Sequence, residues 1–196
     1  MNAPGLRIDD ALVCAGVGAF QRRLLAIFGL VWAADAMQVL AVGFVAPGIA
    51  HEFTISLPAA LQVGTSLFLG MLLGAFGFGR LADLIGRRPV LFLTVVLDAL
   101  FGLLSAFVPS FAWLLFLRFL TGLAVGGTLP VDYAMMSEFL PAARRGRWLV
   151  GLDAFWAAGT VALALVSLGA ESLHGLPAWR WIFLGRGLIK AQPQPD

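Results

Sequence analysis

Charge is scarce in this chain. Asp, Glu, Lys and Arg make up only 12% of its 196 residues, about half the share usual in a soluble domain. Lysine is rarer still, with Lys190 alone against twelve arginines. The formal net charge of +2 is too small a basic excess to suggest a nucleic-acid partner. Cys14 is the single cysteine, which excludes an internal disulfide framework. It reads as a free thiol, with palmitoylation the alternative. The first twenty residues lack the basic n-region and the small-residue cleavage site of a signal peptide. His51 and His174 fall far apart in separate loops, so no metal site is expected. No phosphate-binding glycine loop, Ser-His-Asp arrangement or metal-spaced Cys/His cluster is present. Enzyme chemistry therefore has no positive signal, and no cofactor is called for.

Apolar residues are abundant instead: 60% of the chain is hydrophobic and the mean hydropathy is +0.92. One core of this size cannot hide so much apolar surface, because a folded domain still exposes much of its area. Lipid must cover the remainder, which makes the fold all-α and integral to a membrane. A spanning helix needs about 20 mostly apolar residues, and that rule gives five full spans, near 24–45, 59–78, 89–108, 113–133 and 148–168. A partial sixth starts at 179, where "PAWRWIFL" opens like a helix entering at headgroup level. It then gives way to "GRGLIKAQPQPD", too short and too charged to cross. That ending reads either as an interfacial tail or, the favoured reading, as a chain that stops or changes frame inside a sixth helix. The organisation expected is a polar segment over 1–22, a helical bundle over 23–184 and a polar tail over 185–196.

The arginines set an orientation. Arg7, Arg22 and Arg23 precede the first span; Arg80, Arg87 and Arg88 lie between the second and third, and Arg144, Arg145 and Arg147 between the fourth and fifth. The opposite loops, 46–58 and 109–112, hold no Lys or Arg. By the positive-inside rule the N-terminus is cytoplasmic. High Ala, Leu and Arg with almost no Lys hints at a bacterial inner membrane.

One stretch gathers an unusual share of the charge: "GRLADLIGRRPVL", residues 79–91. Topology alone would explain its arginines but not its spacing. Gly79 and Asp83 are four apart, on one face of a helix end, and Gly86 permits a sharp turn before Arg87 and Arg88. This G-x-x-x-D-x-x-G-R-R pattern closely resembles the signature loop between helices two and three of the major facilitator superfamily, although Leu84 stands where that family usually has a basic residue. A second stretch, "RFLTGLAVGGTLPVDYAMMSEFLPAARRGR", is similar to the same family. Gly122 and Gly126 form a small-residue stripe that admits a close helix neighbour. Glu138, Pro141, Arg145 and Gly146 match the E-x-x-P-x-x-x-R-G pattern after helix four in the sugar-and-organic-solute branch, and "WRW" at 179–181 resembles the start of helix six there.

The resemblance, from about Gln21 to Leu184, covers the front half of a family whose members usually have twelve helices. It implies an N-terminal bundle that packs against a similar C-terminal one, with solute held between them near mid-membrane and exposed alternately. It further implies a cytoplasmic latch in which Asp83, Arg87, Glu138 and Arg145 form an ion-pair network.

Charges inside the spans need separate explanation, since each costs about 2.5–3.5 kcal/mol at the bilayer centre on insertion scales. Asp35 lies near mid-depth of the first span. It is either a carboxyl kept neutral by burial or an acid that gains and loses a proton as water access alternates. Related symporters often carry a second acid three residues on; here Gln38 stands there, a hydrogen-bonding group without charge. Arg118 could pair with Asp35 or Asp98, bind an anionic solute through its planar fork, or snorkel outward; the resemblance associates it with proton coupling. Asp98 is either a structural partner or part of a site. Asp132 and Asp153, near cytoplasmic helix ends, read as gate or interface charges. Trp32, Phe155 and Trp156 could stack on a ring in a cavity, or face lipid.

Two functions of different class follow. One is a secondary transporter, or its N-terminal part, moving a small organic solute such as an organic acid or sugar by proton symport. Its partners would be the lipid bilayer, the solute, protons, and the missing C-terminal bundle or a second copy of the chain. The alternative is a non-transporting membrane fragment that serves as an assembly or regulatory partner.

Overall fold

The computed structural model describes residues 18–140, 145–170, 180, 182 and 183. Within them the chain forms five long helices: α1 Ala19–Glu52, α2 Leu57–Ile85, α3 Arg87–Leu104, α4 Phe111–Glu138 and α5 Arg145–Ala170. Helices are the expected solution for apolar runs in lipid, because each backbone group is then bonded within its own segment. Four of the helices outrun the apolar windows read from the sequence, whereas α3 stops short of the end of its window, 89–108. α1 continues through Pro47 to Glu52, and α4 passes through Pro130. A proline frees one carbonyl, which neighbouring helices in a bundle tolerate.

The expectation of five full spans and a partial sixth is not matched. Four helices (α1, α2, α4 and α5) are long and apolar enough to cross a membrane. α3 is the exception. It has 18 residues, about 27 Å of helix at 1.5 Å per residue, and it carries Arg87, Arg88 and Asp98 within that length. Of the sixth segment only Arg180, Ile182 and Phe183 are described, and all three are helical. The tail over 185–196 and the expected stop or frame change lie outside the described residues, as do Cys14, Arg7 and His174.

The turns follow from their residues. Ser56 caps α2, its hydroxyl accepting from the Ala59 amide at 3.4 Å, and Pro58 follows in the first turn. Gly86 alone separates α2 from α3; its φ of +94° lies where side chains other than glycine are strained.

Packing is organised by glycine. α2 lies along α4 so closely that a Cβ added at Gly122 would fall 2.0 Å from the Leu67 carbonyl oxygen, and one at Gly126 would fall 2.1 Å from that of Met71. From the other side, a Cβ at Gly70 would meet the Phe119 carbonyl at 2.1 Å and one at Gly74 that of Leu123 at 2.0 Å. This is the small-residue contact through which helices associate in lipid, where no hydrophobic drive separates helix from solvent. Ser66 adds a hydrogen bond across the same seam, donating to the Leu115 carbonyl at 2.7 Å. α5 packs on α1 by the same device, with Gly159 against the Ala33 backbone and Gly29 beneath the Phe155 ring.

Three apolar clusters result among the described residues. The first gathers Met37, Ala41, Val45, Ile49, Leu114, Leu163 and Phe183; the second gathers Phe28, Trp32, Met136, Leu140 and Leu152; the third, smaller, holds Ala82, Val90 and Val131. Between the first two, along α1 and α4, lie fully or almost fully buried polar residues: Asp35, Gln38, Arg118, Thr121, Thr128 and Asp132. Phe68, Leu69, Leu72, Leu73 and Phe76 on α2 stay exposed, as lipid or a further helical layer requires.

Candidate functional site

The polar layer has a defined centre. Gln38 on α1 reaches two helices at once. Its Nε2 donates to Asp98 Oδ1 on α3 at 2.8 Å, and its Oε1 accepts from Arg118 Nη1 on α4 at 3.1 Å. All three side chains are buried, Asp98 and Arg118 completely. A primary amide suits this position because it can donate at one end and accept at the other. The guanidinium is covered by the Phe183 ring, 4.2 Å from its centroid, which supplies a favourable face for a desolvated cation. Arg118 Nε and Nη2 have no hydrogen-bond partner among the described residues. The arginine is therefore held at one corner and keeps donors for something else. Its complete burial also answers the sequence question, for Arg118 does not snorkel.

Asp35 lies one turn before Gln38 and is fully buried, and it too has a polar or electrostatic partner. Asp35, Gln38, Asp98 and Arg118 thus share one buried layer. Thr94 and Thr128 are also buried but spend their hydroxyls on helix carbonyls, of Leu91 at 3.0 Å and Ala124 at 3.1 Å.

The arginine-rich end of the bundle is simpler than the latch expected from its motif. Arg87 Nη1 meets Glu138 Oε1 at 2.7 Å, joining the start of α3 to the end of α4. Asp83 is exposed and neither it nor Arg145 joins an ion pair within 4 Å among the described residues. Gly79 faces open space and Arg88 is exposed. The structure therefore brings together two of the four residues of the expected network. Asp83 is held apart by lying on the outward face of α2.

Three relationships go beyond the sequence reading, which had named Trp32, Phe155 and Trp156 only as rings that could stack on a ring in a cavity or face lipid. At the opposite end, Arg180 Nη2 meets Glu52 Oε1 at 2.6 Å and donates to the Val108 carbonyl at 3.4 Å. It ties the sixth segment to the end of α1 and the turn after α3. The Phe183 ring over Arg118 is the second. The third is an aromatic cluster: Trp32 packs edge-on against Tyr133 and against Trp156, with ring centroids 4.9 and 5.6 Å apart, and the Tyr133 hydroxyl donates to Asp153. Phe155 does not join it, being turned onto Gly29. Nothing local in "RWIF" says which charge the Phe183 ring will cover.

The chain is 38% identical over 175 residues to the organic cation/carnitine transporter 7 of Arabidopsis thaliana, covering 89% of this chain and 34% of that protein. It is 33% identical over 177 residues to the synaptic vesicle 2-related protein of Xenopus laevis, covering 90% and 32%. Against the synaptic vesicle glycoprotein 2A of Rattus norvegicus it is 35% identical over 168 residues, covering 86% and 22%. The chain spans about a third of the length of the first two of these relatives. Residues 24–190 match the family model for the Major Facilitator Superfamily. That match takes in all five helices except the first residues of α1, together with the buried Asp35–Gln38–Asp98–Arg118 layer, and this chain, an integral membrane protein, belongs to the Major Facilitator Superfamily.

Proposed function

We propose that this chain is the N-terminal bundle of a secondary transporter that moves a small organic solute, such as an organic acid or sugar, by alternating access coupled to protons. The observation that carries the reading is the Arg118–Gln38–Asp98 bridge, buried across three helices with Asp35 one turn away. Ionisable groups at this depth in lipid are expensive, and a fold selected for stability alone has cheaper ways to fill the space. In the proposed cycle, solute occupies the face that this bundle presents to a C-terminal partner. Water then reaches the layer from one side and then from the other as the two bundles rock. Asp35 takes up and releases the proton, while Arg118, with two donor nitrogens uncommitted among the described residues, responds to the charge of Asp35 and Asp98. The Arg87–Glu138 pair holds the arginine-rich end closed during part of the cycle. That end faces the cytoplasm, with the membrane a bacterial inner membrane and the N-terminus inside. One relative's name specifies organic cations and carnitine, which keeps charged solutes in view.

Uptake into vesicles with an imposed proton gradient tests this directly, comparing the chain with its Asp35→Asn variant. Gradient-driven uptake that Asp35→Asn abolishes is the expected result. Uptake that stays as pH-sensitive in Asp35→Asn removes the coupling role of Asp35. Absence of uptake from both leaves the other reading, a membrane fragment that works as an assembly partner.

A further inference from the structure

We infer that Arg180 is a positioning residue for the buried layer and that it works through Phe183. Its bonds to Glu52 and Val108 hold the Phe183 ring over Arg118, and that ring closes the layer toward the Glu52 end of the bundle. The inference rests on the transport reading in taking the layer as a place that water must reach. It adds a gate that lies within one bundle, apart from any rocking of two.

The layer is walled differently on its two sides. Toward the arginine-rich end, Arg118 is followed along α4 by Thr121, Thr128 and Asp132, all buried and all polar. Their spacings of three, seven and four residues keep them on one side of the helix. Toward the Glu52 end the buried neighbours form an apolar plug: Ala41, Val45 and Ile49 on α1, Val108 after α3, and Ile182 and Phe183 of the sixth segment. Water does not cross such a cluster without displacing part of it, because the cluster offers it no hydrogen bond.

Glycine decides which part of the plug can yield. Backbone contacts at Gly122 and Gly126 lock α2 on α4, and a contact at Gly159 locks α5 on α1. Those helices separate only by losing the close packing that joins them. The described contacts of the sixth segment are made by side chains instead. Arg180 Nη2 meets Glu52 Oε1 at 2.6 Å and reaches the Val108 carbonyl at 3.4 Å. One nitrogen thus joins the sixth segment to the end of α1 and to the turn after α3. Phe183 follows three residues later, a neighbour on the helix surface about 4.5 Å further along the axis. A guanidinium is favoured far more by hydration than by a ring face, so Arg118 promotes any motion that lets water replace Phe183. The bonds of Arg180 oppose that motion.

Cysteine accessibility tests this in the 196-residue chain in lipid nanodiscs, with Cys14→Ser as background and a charged, water-soluble methanethiosulfonate as reagent. Two fully buried positions report the two sides. Ala41→Cys lies one turn from Gln38 toward Glu52, and Thr128→Cys lies ten residues beyond Arg118 toward the arginine-rich end. Glu52→Gln and Arg180→Met should each speed modification at Ala41→Cys by about tenfold or more, the effect of losing a charge-assisted bond on a local opening. Thr128→Cys should keep its original rate. The charge-swapped pair, Glu52→Arg with Arg180→Glu, should recover part of the protection at Ala41→Cys. An equal rise at both cysteines would mean that the variants merely loosen the bundle, and it overturns the inference. An unchanged rate at Ala41→Cys overturns it too. Gradient-driven uptake in a chain whose Ala41→Cys rate ignores Arg180 would sink the gate and leave transport standing. A selective response at Ala41→Cys without uptake would keep the gate and remove transport.

Discussion

Gln38 donates to Asp98 at 2.8 Å and accepts from Arg118 at 3.1 Å, so one uncharged side chain separates an acid and a base that are both fully buried. Each end of the amide serves a group that water cannot reach. Gln38→Leu keeps the bulk and removes both bonds, leaving Arg118 and Asp98 each short of a partner. The expected cost is on the order of 2–4 kcal/mol, since a buried charged group left unsatisfied loses more than the bond itself was worth. Reversible unfolding in mixed micelles measures it. A double-mutant cycle with Asp98→Leu should give a coupling of about 1–3 kcal/mol; a coupling near zero would mean the bridge carries no energy.

The α2–α4 seam makes a sharper demand. A Cβ at Gly122 would sit 2.0 Å from the Leu67 carbonyl, and a backbone atom cannot step aside as a side-chain tip can. Gly122→Ala should therefore destabilise the bundle by roughly 3 kcal/mol or more, at the upper end of overpacking costs. Gly79→Ala supplies the comparison, because nothing lies within 4 Å of a Cβ there. It should be neutral, or slightly stabilising through helix propensity. Melting temperatures of the two variants, read side by side, check the contrast. Equal losses would mean that the seam is looser than its geometry requires.

How far the sequence could be read follows from the range of the interactions. The helices were legible because lipid solvation acts on every residue of a run, and hydropathy sums over twenty of them. The glycine stripe at Gly122 and Gly126 was legible because small residues four apart have few other uses in a membrane helix. The limits appear where one contact decides. The run 89–108 read as a full span, yet α3 ends at Leu104 and carries Arg87, Arg88 and Asp98 in its 18 residues, so its shortness is not visible as composition alone. Gln38 looked like a weakened site, a missing acid, until Asp98 and Arg118 stood at its two ends. Asp83, Arg87, Glu138 and Arg145 were grouped by motif, yet the side of α2 on which Asp83 falls is set by the packing of α2 on α4. The Tyr133–Asp153 bond joins residues 20 apart, and the Arg180–Glu52 pair joins residues 128 apart. No periodicity reaches that far.

The two ion pairs at opposite ends should differ in weight. Arg87 and Glu138 are 35% and 55% exposed, whereas Arg180 and Glu52 are 21% and 26% exposed and Arg180 also holds the Val108 carbonyl. Solvent screens the first pair, and its loss in Glu138→Gln should cost at most about 1 kcal/mol. Arg180→Met keeps the aliphatic stem while removing a charge-assisted bond and a backbone contact, and should cost about 1.5–3 kcal/mol. Unfolding at low and high salt separates them further. The Arg87 contribution should fade at high ionic strength, and that of Arg180 should persist. A reversed order would place the stronger clamp at the arginine-rich end.

Phe183 offers the last check on how Arg118 is held. Its ring is fully buried, 4.2 Å from the guanidinium carbon, and belongs to the cluster that contains Leu114 and Leu163. Two effects are mixed in that contact: apolar packing and attraction between a cation and a π-face. Phe183→Leu keeps most of the packing and discards the π-face. If the attraction matters, the loss should exceed that of an ordinary core swap by about 0.5–2 kcal/mol. Phe183→Leu combined with Arg118→Met then decides between the two. Should the attraction be real, Phe183→Leu will cost less once the charge is gone, because a methionine has nothing to gain from the ring's quadrupole. Equal cost in both backgrounds would reduce Phe183 to a packing residue and leave the charge of Arg118 to Gln38 and the neighbouring acids.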